Sequence, residues 1–220
     1  MGTTLWRVFA AAIVPVACVV IGWLLGIGNI YINEWKGRKR QREDLAGILY
    51  SELKIIKPLL VNMYYLGKSD MGGLKREEVT WVHMNLDEPE NSKTFLTTKN
   101  ILELSDADMA ISFSHRRLVD PGRERFSKIP IPALETSISR IPLLDKETQS
   151  ALFEILLKTG WINEHIAKLD FCFEKTFDSS TSAENHRILD QNMNTYTETI
   201  ARISRETADL ISRLLVKLSQ

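Results

Sequence analysis

Hydrophobic residues are distributed along this chain in three ways. The first is an unbroken run. From Val8 to Asn33, twenty-six residues pass without a charged side chain. A hydrocarbon core of about 30 Å needs about 20 apolar residues at 1.5 Å of rise each, so this run predicts a transmembrane helix. Trp6 stands at one end, with Tyr31 and Trp35 at the other, where amphipathic rings favour the headgroup level. Pro15 falls in the second turn, where neighbouring groups or a slight kink can absorb its missing donor. Cleavage as a secretory signal, or as a lipoprotein ahead of Cys18, is the competing reading. The apolar run is too long for the first, and the apolar residues after Cys18 speak against the second.

The second pattern is helical. Leu45, Ile48, Leu49, Leu53, Ile56, Leu60, Met63 and Tyr64 recur in steps of three and four, which predicts one helix with one buried stripe. Glu52, Lys54 and Lys57 are then expected on its solvated side. Pro58 should kink the helix or detach its last turns. Only Gly37 could stop a helix between Glu34 and Leu45, so the membrane helix is expected to run on into this one. Further along, Leu152, Ile155, Leu156, Thr159, Ile162, Ile166, Leu169 and Phe173 mark another helix, capped by Asp145. Gly160 weakens it by about 1 kcal/mol relative to alanine. Leu189, Met193, Tyr196, Ile200, Ile203, Thr207, Leu210, Leu214 and Leu218 mark the last helix. Its four heptads suit a coiled coil or a long bundle helix, and pairing with the preceding helix as an antiparallel hairpin is the simpler solution.

The third pattern is the loss of the helical period in residues 67–100. Met71-Gly72-Gly73 and Asp87 to Asn91 are turn sequences, and Val79-Thr80-Trp81-Val82 is β-prone, which predicts an irregular excursion or a small hairpin. Ile101 to Phe113 is expected as one short helix, and Ala133 to Ile141 as another closed by Pro142. The expected fold class is therefore mainly α: an N-terminal transmembrane helix followed by an antiparallel helical bundle with a small irregular or β-hairpin insertion. The divisions are 1–7, a short extracytoplasmic N-terminus; 8–33, the membrane helix; 34–44, a basic juxtamembrane segment; and 45–220, a cytoplasmic helical domain.

Charge supplies the orientation. Lys36, Arg38, Lys39, Arg40 and Arg42 follow the apolar run, whereas only Arg7 precedes it, and basic flanks stay on the cytoplasmic side. These five cations are also the expected contacts to lipid headgroups. The formal net charge of zero conceals an acidic remainder: from Glu43 onward there are 22 basic and 27 acidic residues, which argues against nucleic acid as a partner. Cys18 and Cys172 are too differently placed for a structural disulfide.

Chemical motifs are sparse. His83, His115, His165 and His186 are scattered, and no spacing suits a metal, a cofactor or a nucleophile, so neither an enzyme nor a cofactor is expected. Asn163-Glu164-His165 is polar, but adjacent helical residues diverge. Two weaker signals remain. Cys18, Gly22 and Gly26, continued by Asn29 and Asn33, form a small-residue row on which two membrane helices could pack. Arg116, Arg117, Arg123 and Arg125, with Lys128 nearby, could hold a phosphate, a headgroup or an acidic partner.

The basic flank KGRKRQR, the Leu45-x-x-Ile48-Leu49-x-x-Glu52-Leu53 helix and the Ile141-Pro142-Leu143-Leu144-Asp145 break resemble a loose group of bacterial single-span membrane proteins. That resemblance implies a cytoplasmic helical domain and no particular activity. The expected function is a membrane-tethered helical interaction protein, docking an unknown protein partner or self-associating at the inner-membrane surface. The alternative is a membrane-associated sensor or effector for an anionic ligand or lipid.

Overall fold

A computed structural model describes residues 2–86, 92–119, 126–178 and 182–219, with side chains from Val20 onward except Lys93 and residues 114–119. Its elements are α1 (Gly2–Asp70), α2 (Arg76–Asn85), α3 (Lys93–Glu103), α4 (Asp106–Val119), α5 (Pro132–Thr136), a 3-10 helix (Ile138–Leu143), α6 (Lys146–Thr176) and α7 (Ala183–Leu218). Among the described residues there is no strand. The chain divides into two compact units, Met1–Leu45 and Ala46–Gln220.

The first unit is the N-terminal part of α1. As expected from the missing stop signal, α1 continues through the basic segment. Val20, Ile21, Trp23, Leu24, Leu25, Ile30, Tyr31 and Ile32 are all exposed, on every side of the helix. Among the described residues, no helix is long and apolar enough to cross a membrane. The part of the expected span from Val8 to Val19 precedes the first described side chain.

In the second unit, α6 and α7 form the principal helix pair. Three contacts show that they run antiparallel: Lys217 to Asp145, Lys158 to Glu206, and the His165 ring to the Tyr196 ring. As one residue number rises, its partner's falls. The α1 segment runs antiparallel to α7, with Tyr64 on Arg205 and, further along, Gly67 against Ala201 and Thr197. A Cβ placed on Gly67 would come within 2.9 Å of the Ala201 Cβ, so only glycine admits this crossing. The core is formed by Leu49, Leu53, Ile56 and Leu60 of α1, Leu152, Ile155 and Ile162 of α6, and Ile200, Ala201 and Ile211 of α7. These are the spacings that define the sequence stripes, and burial of such side chains at about 25 cal/mol per Å² is the main driving term.

Several expectations need correction. Among the described residues of 67–100 there is no hairpin, because α2 takes up the β-prone stretch. Val79 and Val82, three apart, are both fully buried, and this helical spacing overrides their β preference. Gly72 and Gly73 end α1 with φ of 125° and 104°, and the Lys75 N–H donates to Glu78 Oε2 at 2.9 Å to start α2. Asp87 to Asn91 lie outside the described residues. Ile101 to Phe113 is not one helix: α3 stops at Glu103 and α4 starts at Asp106, with Ser105 accepting from the Asp108 N–H. Arg76 holds that break, donating to the Leu102 and Leu104 carbonyls and pairing with Asp106 at 2.7 Å. Pro58 does not end α1. Pro142 lies inside the 3-10 helix rather than closing Ala133 to Ile141, which is shared between α5 and that turn. Nor is Lys57 solvated; it is buried.

Glu52 has a structural task instead. Its two carboxylate oxygens accept the Ala133 and Leu134 N–H groups, each at 2.7 Å, and so cap α5 from another helix. The preceding extended stretch is held by Asn163. Its amide accepts from the Ile129 N–H at 2.8 Å and donates to the Ile129 carbonyl at 3.0 Å, replacing a strand partner.

Candidate functional site

The densest polar cluster joins α1, α2 and α7. The Tyr64 hydroxyl donates to Glu78 Oε1 at 2.7 Å and accepts from Arg205 at 3.0 Å. The Arg205 guanidinium lies 5.3 Å from the Tyr64 ring and 5.1 Å from the Trp81 ring, while Trp81 donates to Asp209 at 3.0 Å. Burial, with Glu78 alongside, pushes the Tyr64 hydroxyl up to about 12. Burial also opposes ionisation of Glu78, but the Lys75 amide, the Tyr64 hydroxyl and the nearby cations outweigh it and hold the carboxyl below its usual range. Every group here is engaged by a neighbour. This is a brace between helices.

Among the described residues, no group of three His, Cys, Asp or Glu comes together. Among the described side chains, the histidines have separate neighbours. The His83 Nδ1 lies 3.1 Å from the Thr98 hydroxyl, and His165 faces Tyr196 with its Nδ1 buried and unpartnered; burial depresses its basicity. As anticipated, Asn163, Glu164 and His165 diverge: one grips Ile129, one pairs with Lys168 at 2.6 Å and one packs on Tyr196. Cys172 is a buried free thiol, its ionisation disfavoured by desolvation. A groove of about 230 Å³ separates the start of α6 from the end of α7. Its Lys217 is bound to both Asp145 and Glu147 at 2.7 Å, so it is a bridged seam between two helix ends.

The residues expected in the first unit are placed as follows. Gly22 and Gly26 have open space around them, and Asn29 accepts a 3.4 Å hydrogen bond from Asn33 within its own helix. The side chain of Cys18 lies outside the described residues. Arg38 and Lys39 form exposed pairs with Glu34 and Glu43, each at 3.8 Å, and Lys39 also stands over the Trp35 ring. Lys36, Arg40 and Arg42 are exposed. Of the expected anion site, Arg123 and Arg125 lie outside the described residues, as do the side chains of Arg116 and Arg117. Lys128 is exposed.

One surface was missed by sequence reasoning. Leu152, Ile155, Thr159, Ile162, Ile166 and Leu169 fill the core face of α6. A second series on that helix, Phe153, Leu157, Gly160, Glu164, Ala167 and Phe171, follows the same alternation of four and three. At 100° per residue it lies near the opposite side of the cylinder, with Trp161 beside it. Phe153 is 44% exposed, Leu157 53%, Trp161 46% and Phe171 59%. The signal was present in the sequence but was hidden, because a search for one buried stripe per helix stops once that stripe is found.

Comparison with protein-family models, with curated proteins and with solved structures finds no match for this chain.

Proposed function

We propose that this chain is a membrane-tethered interaction protein. Residues 8–33 lodge in the bilayer, the cations Lys36, Arg38, Lys39, Arg40 and Arg42 meet anionic headgroups, and the helical domain faces the cytoplasm, where it docks a partner or another copy of itself. The observation that carries the docking half is the outward face of α6. A folded domain that leaves two phenylalanines, a leucine and a tryptophan uncovered on one side of one helix has the kind of apolar patch that marks interaction surfaces. The tether is supported by the apolar side chains exposed all round α1 from Val20 to Ile32, a distribution suited to surroundings that are themselves apolar.

Two measurements test the halves separately. Full-length protein should sediment with membranes and resist extraction by alkaline carbonate; release into the soluble fraction overturns the tether. In a Gly22→Leu/Gly26→Leu background, where membrane-helix packing does not hold chains together, Leu157→Glu and Trp161→Glu should abolish association of the detergent-solubilised protein with other chains while leaving its helical content unchanged. Association that survives both changes overturns the assignment of the α6 face.

A further inference from the structure

We propose that the occupant of the outward α6 face is the same face of a second copy, lying antiparallel. This rests on the interaction reading above and goes beyond it by specifying partner and register. The argument begins with shape. If the second copy is turned end for end about an axis near Ile162, Leu157 faces its Ala167, Gly160 faces its Glu164, and Phe153 faces its Phe171. Large side chains thus meet small ones in the middle layers, and aromatic meets aromatic at both ends. Gly160 has nothing within 4 Å of where a Cβ would stand, so it opens a notch in which the Glu164 stem of the other copy can lie.

Charge selects the same register. The positions beside the seam are Glu147, Glu154, Trp161, Lys168 and Lys175, one every seven residues. In an antiparallel pair these flanking positions face one another. Glu154 then meets Lys168 of the second copy, Glu147 meets its Lys175, and the two Trp161 rings meet at the axis. Each of these charges is itself exposed and already has a partner within its own chain, for example Lys168 with the exposed Glu164 at 2.6 Å and Glu154 with the largely covered Lys158 at 3.5 Å. Ion pairs at the surface contribute little and exchange readily. A parallel pairing would instead set Glu164 against Glu164.

The area is sufficient. Phe153, Leu157, Trp161 and Phe171 leave on the order of 400 Å² uncovered per copy. With the flanking and small residues, two copies clear the roughly 1,000 Å² of total burial that a specific interface needs.

The test is sedimentation equilibrium of the full chain in density-matched detergent, carried in a Gly22→Leu/Gly26→Leu background so that membrane-helix packing does not hold the dimer. A dimer is expected. Glu154→Lys and Lys168→Glu should each weaken it about tenfold, because each reversal creates two like-charged contacts across the axis. The double variant Glu154→Lys/Lys168→Glu should restore it to within about threefold. Gly160→Leu should abolish it while leaving the fold intact. A chain that is monomeric throughout, or a double variant no better than the single ones, overturns the proposal. If the chain is monomeric but Leu157→Glu releases a different bound protein, the second copy is excluded and the interaction reading stands. If it is monomeric and nothing is released, both fail.

Discussion

The helices α6 and α7 are built on the same period and lie side by side, yet they treat their outward faces in opposite ways. On α7 the buried series from Met193 to Leu214 is backed by Asn192, Thr195, Glu198, Arg202 and Glu206, a solvated face. Its heptads, which on sequence suited a coiled coil between chains, are used up against α1 and α6. On α6 the buried series is backed by aromatic and aliphatic side chains. Regular heptads alone therefore say little about which helix is available to a partner. What matters is whether a second apolar series remains after the first has been spent on the core.

The largest effect should come from comparing neighbouring residues on the two faces of α6. Ile155→Ala removes a fully buried side chain and should cost about 3 kcal/mol in chemical denaturation of the monomer. Leu157→Ala, two residues on, should stay within about 0.5 kcal/mol. Similar losses at the two positions would mean that the outward face is part of the core, and the contrast between the helices would vanish.

Next in size is the seam where the start of α6 meets the end of α7. Asp145 pairs with Lys217 and accepts from the Thr148 hydroxyl at 2.7 Å and the Thr148 N–H at 3.1 Å, contacts that hold its carboxyl well below the usual range. A depressed carboxyl stabilises the fold above the ordinary Asp value of about 4, and that contribution is lost as pH falls below it. Asp145→Ala should cost about 1 kcal/mol at neutral pH through the lost cap, and less in acid. A penalty that does not shrink on acidification would break the assignment.

A comparable change of opposite sign is expected at Gly160→Ala, which should stabilise the monomer by about 1 kcal/mol, since the new methyl enters open space. Destabilisation would mean that something in the same chain already fills the notch. The smallest effect concerns the inner side of α7. Tyr64, braced by Glu78 and Arg205, should ionise near pH 12 in a spectrophotometric titration, and Arg205→Ala should alter that value. Because the folded state raises this group above its ordinary 10, its contribution is complete below pH 10 and disappears as pH rises through 12. Ionisation of Tyr64 at the ordinary value would show that the brace is open.

The three long helices were legible in the sequence because each is long enough for its period to repeat several times. Leu49, Leu53, Ile56 and Leu60, then Leu152, Ile155, Ile162 and Ile166, then Met193, Ile200, Ile203 and Leu214 are buried as their spacing predicts, whereas Ile48 is exposed. The antiparallel hairpin followed from two matched periods and a short connection. What was not legible depends on contacts between distant residues. Val79 and Trp81 carry a β preference that only the packing of α2 against its neighbours overrules. Glu52 reads as a solvated acid until Ala133 and Leu134, eighty residues away, are brought to it. Arg76 reads as one charge among many, although it holds the junction of α3 and α4. The outward face of α6 was written in plain residues, but it competes with a stronger stripe on the same helix.

The segment between Phe126 and Leu144 contains no helix long enough to persist alone; α5 is a single turn of five residues. It is pinned by two side chains, Asn163 at Ile129 and Glu52 at Ala133 and Leu134, which project from different long helices. Those three amide protons are therefore natural gauges of local opening. Deuterium uptake at Ile129 measures release from α6, and uptake at Ala133 and Leu134 measures release from α1, so a single exchange experiment can tell which of the two anchors yields first.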